Sequence, residues 1–202
     1  MVKLLVFTDS HGDTLIHKEL KKKSKYSDLV LCCGDFTLFE SNIKRIMKFF
    51  NTFKKPFLII PGNHESNRSI QEISSGLQFI KPIHNRFFSI KNLTFFGYGG
   101  DGFSLTDSRL EKEIPRLEKK AKSLSVKKTL IIATHGPPYN TQLDYISANT
   151  GSKSLRKLIQ RLKPAYAFSG HLHENFGVMD VLGRKKDILL CNPGPLGMIF
   201  EI

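Results

Sequence analysis

Tryptophan is absent from the 202 residues, cysteine occurs three times, and only 18 acidic residues oppose 31 lysines and arginines. Each shortage closes off a class of protein. Three cysteines, two of them adjacent at Cys32 and Cys33, do not make a disulfide framework. Both lie in the apolar run LVLCC, where they read as small buried residues, and a reducing cytoplasm fits them. No apolar run approaches the ~20 residues that a membrane-spanning helix needs, so no membrane partner is expected. The opening MVKLLVFTDSHG has too short an apolar stretch before its polar residues for a signal peptide. Internal repeats, low-complexity tracts and linkers are also missing, which points to a single domain over residues 1–202.

The shortage of acid leaves a net charge of +13, which could attract nucleic acid or another polyanion. The basic residues are scattered, however, over KKKSK at 21–25, Lys54-Lys55, Lys119-Lys120, Lys127-Lys128 and Arg184-Lys185-Lys186. None is interleaved with aromatic residues in a stacking pattern. A solvated lysine-rich surface is expected, with nucleic-acid binding that is weak and non-specific at most.

What is present is alternation. Val2–Thr8, Leu29–Cys33 and Phe57–Ile60 are continuous apolar runs of the kind found in buried parallel strands. Between them, Leu15–Lys23 and Asn42–Phe53 carry apolar residues at helical spacing, giving a βαβ pattern, and Ser66–Ser75 reads as a further helix. Arg86–Ile90 and Leu93–Tyr98 lie close enough for a hairpin around Lys91-Asn92 in a second sheet. Thr106–Ser123 reads as a helix with Pro115 as the point where it could kink; Thr129–Thr134, Lys153–Leu162 and Ala165–Phe168 read as strand, helix and strand. Three more runs follow, at Phe176–Val181, Asp187–Cys191 and Met198–Ile202. Two mixed sheets flanked by helices in one α/β domain is the economical architecture.

The polar residues that directly follow these runs are of one chemical kind. They are Asp9 and His11, then Asp35, then Asn63 and His64, then His135, then His171 and His173. An HxH pair alone would read as a polar loop with two solvated imidazoles. Five strand ends carrying such residues are different, because parallel strands bring their carboxyl ends to one edge, where ligands bind in α/β proteins. Carboxylate, imidazole and amide oxygen without thiolate form a mixed donor set for Mn2+, Fe or Zn2+ in an open arrangement. Eight side chains exceed the needs of one ion, so two are expected.

In order and spacing, Asp9-x-His11, Gly34-Asp35, Gly62-Asn63-His64-Glu65, His135 and Gly170-His171-x-His173 resemble the calcineurin-like metallophosphoesterase superfamily. The segments FFGYGGDG, THGPPYNTQLD and CNPGPLG are further similar to its small branch related to cyclic-nucleotide phosphodiesterases. The resemblance implies a four-layer αββα sandwich and two divalent ions, Mn2+ first, with Fe, Zn2+ or Ni2+ as alternatives. It implies that Asp9, His11 and His173 hold one ion, that Asn63, His135 and His171 hold the other, and that Asp35 bridges them. His64 would bind no metal; it would contact the substrate phosphate and assist the leaving group. The implied reaction is in-line attack of a metal-bridging hydroxide on a small phosphate ester, with a phosphodiester favoured. Asp13, Glu65 and Asp144 are candidate acceptors behind the histidines.

One departure bears on substrate. Protein-phosphatase relatives extend the second block to GDxxDRG, whose second aspartate orients the catalytic histidine and whose arginine grips phosphate. Here the stretch is GDFTLFE, with Leu38 and Glu40 where those features would begin, so protein phosphatase activity is not expected. A phosphomonoesterase or nuclease of the same fold is the alternative. The cap domain of the repair nucleases has no residues left to form it. A non-catalytic scaffold on this fold would have a degraded site, whereas all of the expected ligands are present here. Gly97 to Gly102 fits GxGxxG but lacks the βαβ context of a dinucleotide site and is expected to be glycine turns. His17 and His84 are read as packing or surface residues, and Arg68 as a helix-surface arginine.

Overall fold

Neighbouring side chains of the first strand go to different cores. In the computed structural model, which describes residues 1–100, 104–124, 128–183 and 187–202, β1 (Lys3–Phe7) sends Leu4 and Val6 to one side. Leu5 and Phe7 go to the other side, and all four side chains are fully buried. A strand buried on both faces needs cover on both. β2 (Leu29–Cys32) and β3 (Phe57–Ile59) repeat the division. Leu29, Leu31 and Leu58 join Leu4, while Val30, Cys32, Phe57 and Ile59 join Leu5. Helices α1 (Thr14–Ser24), α2 (Ile43–Asn51) and α3 (Asn67–Ser74) cover this second face with Leu20, Ile46, Met47, Phe50 and Ile70.

The first face meets another sheet. β6 (Leu93–Tyr98), β7 (Thr129–Thr134), β8 (Tyr166–Phe168) and β10 (Ile188–Cys191) place Leu93, Phe95, Ile131, Ala133, Phe168 and Cys191 between the sheets. Their alternate residues Phe96, Leu130, Ile132, Ala167 and Leu190 face α4 (Ser108–Leu124) and α5 (Lys153–Leu162). The result is the expected four-layer αββα sandwich. Strand order in the first sheet is β11-β1-β2-β3-β4, with β4 (Ile80–Pro82) parallel and β11 (Met198–Glu201) antiparallel to its neighbour. In the second it is β5-β6-β7-β8-β10-β9, where β5 (Arg86–Ile90) and β9 (Met179–Leu182) are the antiparallel outer strands.

Two details differ from the sequence reading. Strand β4 is unforeseen: it is three residues long, Ile-Lys-Pro, and only Ile80 is buried. The run expected from Phe176 starts as strand only at Met179, because His173–Asn175 forms a 3-10 turn and Gly177 adopts a positive φ of 82°. Helix α4 runs through Pro115, as expected, over the buried stripe Leu110, Ile114, Leu117 and Ala121. Other expectations hold. His17 is buried, 2.9 Å from Ser10 Oγ, and His84 stacks on Tyr98 and accepts the Gly99 amide. Gly99 and Gly100 pack on Pro61, a turn beside the edge described below; Asp101 and Gly102 of the glycine motif lie outside the described residues. So do Lys127 and Arg184-Lys185-Lys186.

Candidate metal centre

Each parallel strand that carries a candidate ligand stops just short of it, and the chain then turns sharply. Asp9, His11, Asp35 and His171 all have left-handed backbones, with φ of 52°, 43°, 49° and 73°. Side chains other than glycine seldom adopt this region, and clusters of such residues mark functional sites. The turns are laced together by main-chain hydrogen bonds. Asp9 N–H donates to Gly34 O, His11 N–H to Asp35 O, Gly170 N–H to His135 O, and Thr8 N–H to Gly194 O. At Gly170 a Cβ would overlap Thr8 Oγ1 and Asp9 Oδ2, and at Gly62 it would overlap Asp35 Oδ1. Only glycine lets these backbones approach the two carboxylates.

All eight residues singled out from the sequence meet here. Asp9, His11 and His173 offer donor atoms within 4.8 Å of one another, as do Asp35, His135 and His171, and also Asp35, His11 and His64. Asp35 therefore stands between the two triads. Asn63 Oδ1 lies 2.9 Å from His135 Nε2 and 3.0 Å from His171 Nδ1. His11 Nε2 and His173 Nε2 are 3.1 Å apart. The carboxylate of Asp9 is divided: Oδ2 accepts from Thr8 Oγ1 at 2.6 Å and from His171 N–H at 2.9 Å. Its Oδ1 is buried with no hydrogen-bond partner among the described residues, 3.7 Å from His173 Nε2 and 4.0 Å from His11 Nε2. An orphaned buried carboxylate oxygen is costly unless a cation satisfies it. Oxygen and imidazole donors that crowd one another in this way fit divalent metal ions.

The electrostatics agree. Burial alone would raise the Asp35 carboxyl, but hydrogen bonding and charge from His135, with help from His64, carry it below the usual range. Burial would lower His135, yet the Asp35 carboxylate outweighs it and holds the ring above its ordinary value. His173 is raised chiefly by the Asp9 carboxylate 3.7 Å away. Burial, aided by His135, pushes His171 down to about 4. His135 Nδ1 lies 3.0 Å from the carbonyl of Cys33, to which it donates, and Nε2 faces Asn63 and Asp35. That backbone carbonyl fixes the orientation of the ring.

The three acids suggested as acceptors behind the histidines accept from main-chain amides instead. Asp13 caps α1, accepting from Leu15 and Ile16 N–H, because it falls at the helix start. Asp144 is buried in the 137–152 loop, where it accepts from the amides of Asn140, Thr141 and Gly151. Glu65 accepts from the amides of Asp35, Thr37 and Gly62 and so fixes both ligand loops; burial pushes its carboxyl up to about 7. The orienting groups that sequence reasoning missed are main-chain atoms, which no residue type announces. One of them serves His64. Its Nδ1 accepts the Phe39 amide at 3.2 Å, where a carboxylate would have required a proton on that nitrogen. The ring's proton is thereby left on Nε2, 3.7 Å from Asp35 Oδ2. Leu38 is half exposed, Glu40 accepts from Ser66 N–H and Ser69 Oγ, and Arg68 is exposed and paired with Glu72.

The fold and this edge define a metallophosphoesterase sandwich, and the comparison with known proteins agrees: the chain belongs to the calcineurin-like phosphoesterase family, whose description matches residues 2–175. That membership supports metal-dependent hydrolysis of phosphate esters. An uncharacterised protein of Methanocaldococcus jannaschii, MJ1162, is 30% identical over 96% of this chain and 88% of its own length. A Caenorhabditis elegans UPF0046 protein, K07C11.7, is 24% identical over 88% of this chain and 66% of its own. Among solved structures, TT1561 of Thermus thermophilus superposes with a TM-score of 0.75 at 14% identity, covering 96% of this chain and 90% of that one. A dimetal phosphatase from Danio rerio gives 0.66 at 12% identity, covering 96% and 88%. Likenesses at such identities speak for the fold. Among the described residues, no helix is long and apolar enough to cross a membrane.

Proposed function

We propose that the protein is a two-metal phosphoesterase that favours phosphodiesters. Asp9, His11 and His173 would hold one ion, Asn63, His135 and His171 the other, and Asp35 both. The single observation that carries this is the buried Asp9 Oδ1, partnerless among the described residues, at the meeting point of His11 and His173. Bound there, the ions supply positive charge for the phosphate and ease the ionisation of the attacking water. The chain's own residues do the rest. Asp9 and Asp35, two carboxylates against two divalent ions, leave a surplus that attracts an anionic ester. His64 donates from Nε2 to a phosphate oxygen or to the oxygen of the departing alcohol. Thr8, Cys33 and Glu65 hold the ligands in register through the bonds described above. Mn2+ suits the oxygen and imidazole set best, with Fe, Zn2+ or Ni2+ able to replace it.

The test is metal content and turnover together. Dialysis against a chelator should abolish cleavage of bis-nitrophenyl phosphate, and Mn2+ should restore it with two equivalents bound per chain. One equivalent at saturation, or activity that survives chelation, would count decisively against the two-metal assignment. Phosphodiester preference is read from kcat/KM on matched monoesters and diesters. The positive charge is proposed to serve solubility and small anionic substrates rather than a nucleic-acid partner.

A further inference from the structure

The two turns that carry Asp35 and His64 are joined by a feature that metal binding does not require. Phe39 is 77% exposed, yet its ring lies edge-on against His64 with 4.4 Å between centroids. Its backbone is left-handed, with φ of 49°, in a region that is strained for a bulky residue. The exposed ring contributes little burial to offset that strain. Its position is fixed all the same: the Phe39 amide donates to His64 Nδ1, Glu40 N–H donates to His64 O, and the Glu40 carboxylate accepts from Ser66 and Ser69. Leu38, half exposed, stands next to it. On the other side, rings continue from His64 to His11 at 5.1 Å, to His173 at 5.0 Å and to Phe176 at 5.0 Å. An aromatic wall therefore begins at a rigid, solvent-facing phenyl group and runs across the ligands.

We infer that Phe39, with Leu38 beside it, is a specificity platform for an aromatic group on the alcohol that leaves the phosphate. This rests on the two-metal phosphoesterase assignment and adds a substrate class to it. An ester whose departing oxygen is served by His64 Nε2 brings its substituent against the ring packed on that histidine. A planar group can meet Phe39 face to face or edge to face, whereas a polar alkyl group gains nothing from it.

The experiment compares two methyl phosphodiesters, one releasing benzyl alcohol and one releasing methoxyethanol, alcohols of comparable acidity. The Mn2+-loaded protein should cleave the benzyl ester about two- to tenfold faster in kcat/KM, the range an aromatic contact supplies. Phe39→Ala should remove that ratio, and Phe39→Tyr should keep it. Calorimetric titration of benzylphosphonate and methylphosphonate reads the same contact without turnover, and Phe39→Ala should weaken only the first. A benzyl ester cleaved no faster than the methoxyethyl ester would overturn the inference. So would equal losses on both in Phe39→Ala, which would assign the ring to holding His64. Failure to cleave even bis-nitrophenyl phosphate would instead sink the phosphoesterase assignment itself.

Discussion

At the scale of single residues, His64 carries the mechanism's most specific test. With Nδ1 occupied by the Phe39 amide, its Nε2–H would be the group presented to a substrate. If that proton serves the departing oxygen, its value depends on how poorly that oxygen leaves; such assistance typically supplies about 10²–10⁴-fold. His64→Ala should therefore keep both metals, lose modest activity on bis-nitrophenyl phosphate and lose far more on an alkyl diester. Asp35→Ala should abolish both activities together with metal binding. Measuring kcat/KM on each ester with metal content in parallel decides the matter, and equal losses on both esters would place His64 at phosphate binding alone. The eight polar residues of this site were legible in the sequence because carboxylates, imidazoles and an amide recur directly after apolar runs. Their orienting partners were not, since Cys33 O, the Phe39 amide and the Glu65-bound amides belong to the main chain.

At the scale of elements, the turns after β1, β2, β3, β7 and β8 are the constructed feature. Four of their candidate ligands sit on left-handed backbones, and glycines stand where a turn passes a carboxylate. Gly170→Ala should push against Thr8 and Asp9 while the layers of the sandwich remain packed. We expect weaker metal binding by at least tenfold with far-ultraviolet circular dichroism unchanged. A Gly170→Ala variant that binds metal as well as the wild type would show that the turn yields more than its geometry suggests. Long strands such as β7 and strongly periodic helices such as α2 and α5 were readable in advance because burial dictates their pattern. β4 was not, being short with a single buried side chain, and the start of β9 was obscured by a turn that depends on packing around Asn175. The helix through Pro115 was readable too, because the apolar stripe Leu110, Ile114, Leu117 and Ala121 continues on both sides of it.

At the scale of the whole molecule, the net charge of +13 is spread over opposite outer layers. Lys21, Lys22, Lys23 and Lys25 lie on or beside α1, while Lys119, Lys120 and Lys122 lie on α4 across both sheets. Part of the charge is already engaged: Lys122 and Arg161 share Glu118, and Lys157 pairs with Glu111. Oligonucleotide binding should accordingly be weak at ~150 mM salt and fall steeply as salt rises. Sub-micromolar affinity at that salt, measured by fluorescence anisotropy, would show a basic face that the scattered clusters conceal.

The division of ligands between the two sheets has a consequence for the life of the chain. Asp9, His11, Asp35 and Asn63 come from one half of the sandwich, and His135, His171 and His173 from the other. Each proposed ion would thus be a clasp across the seam, and its binding energy would add to folding energy. Starved of metal, such a protein would be expected to open first along this one edge. Its abundance would then follow the supply of metal as closely as its activity does.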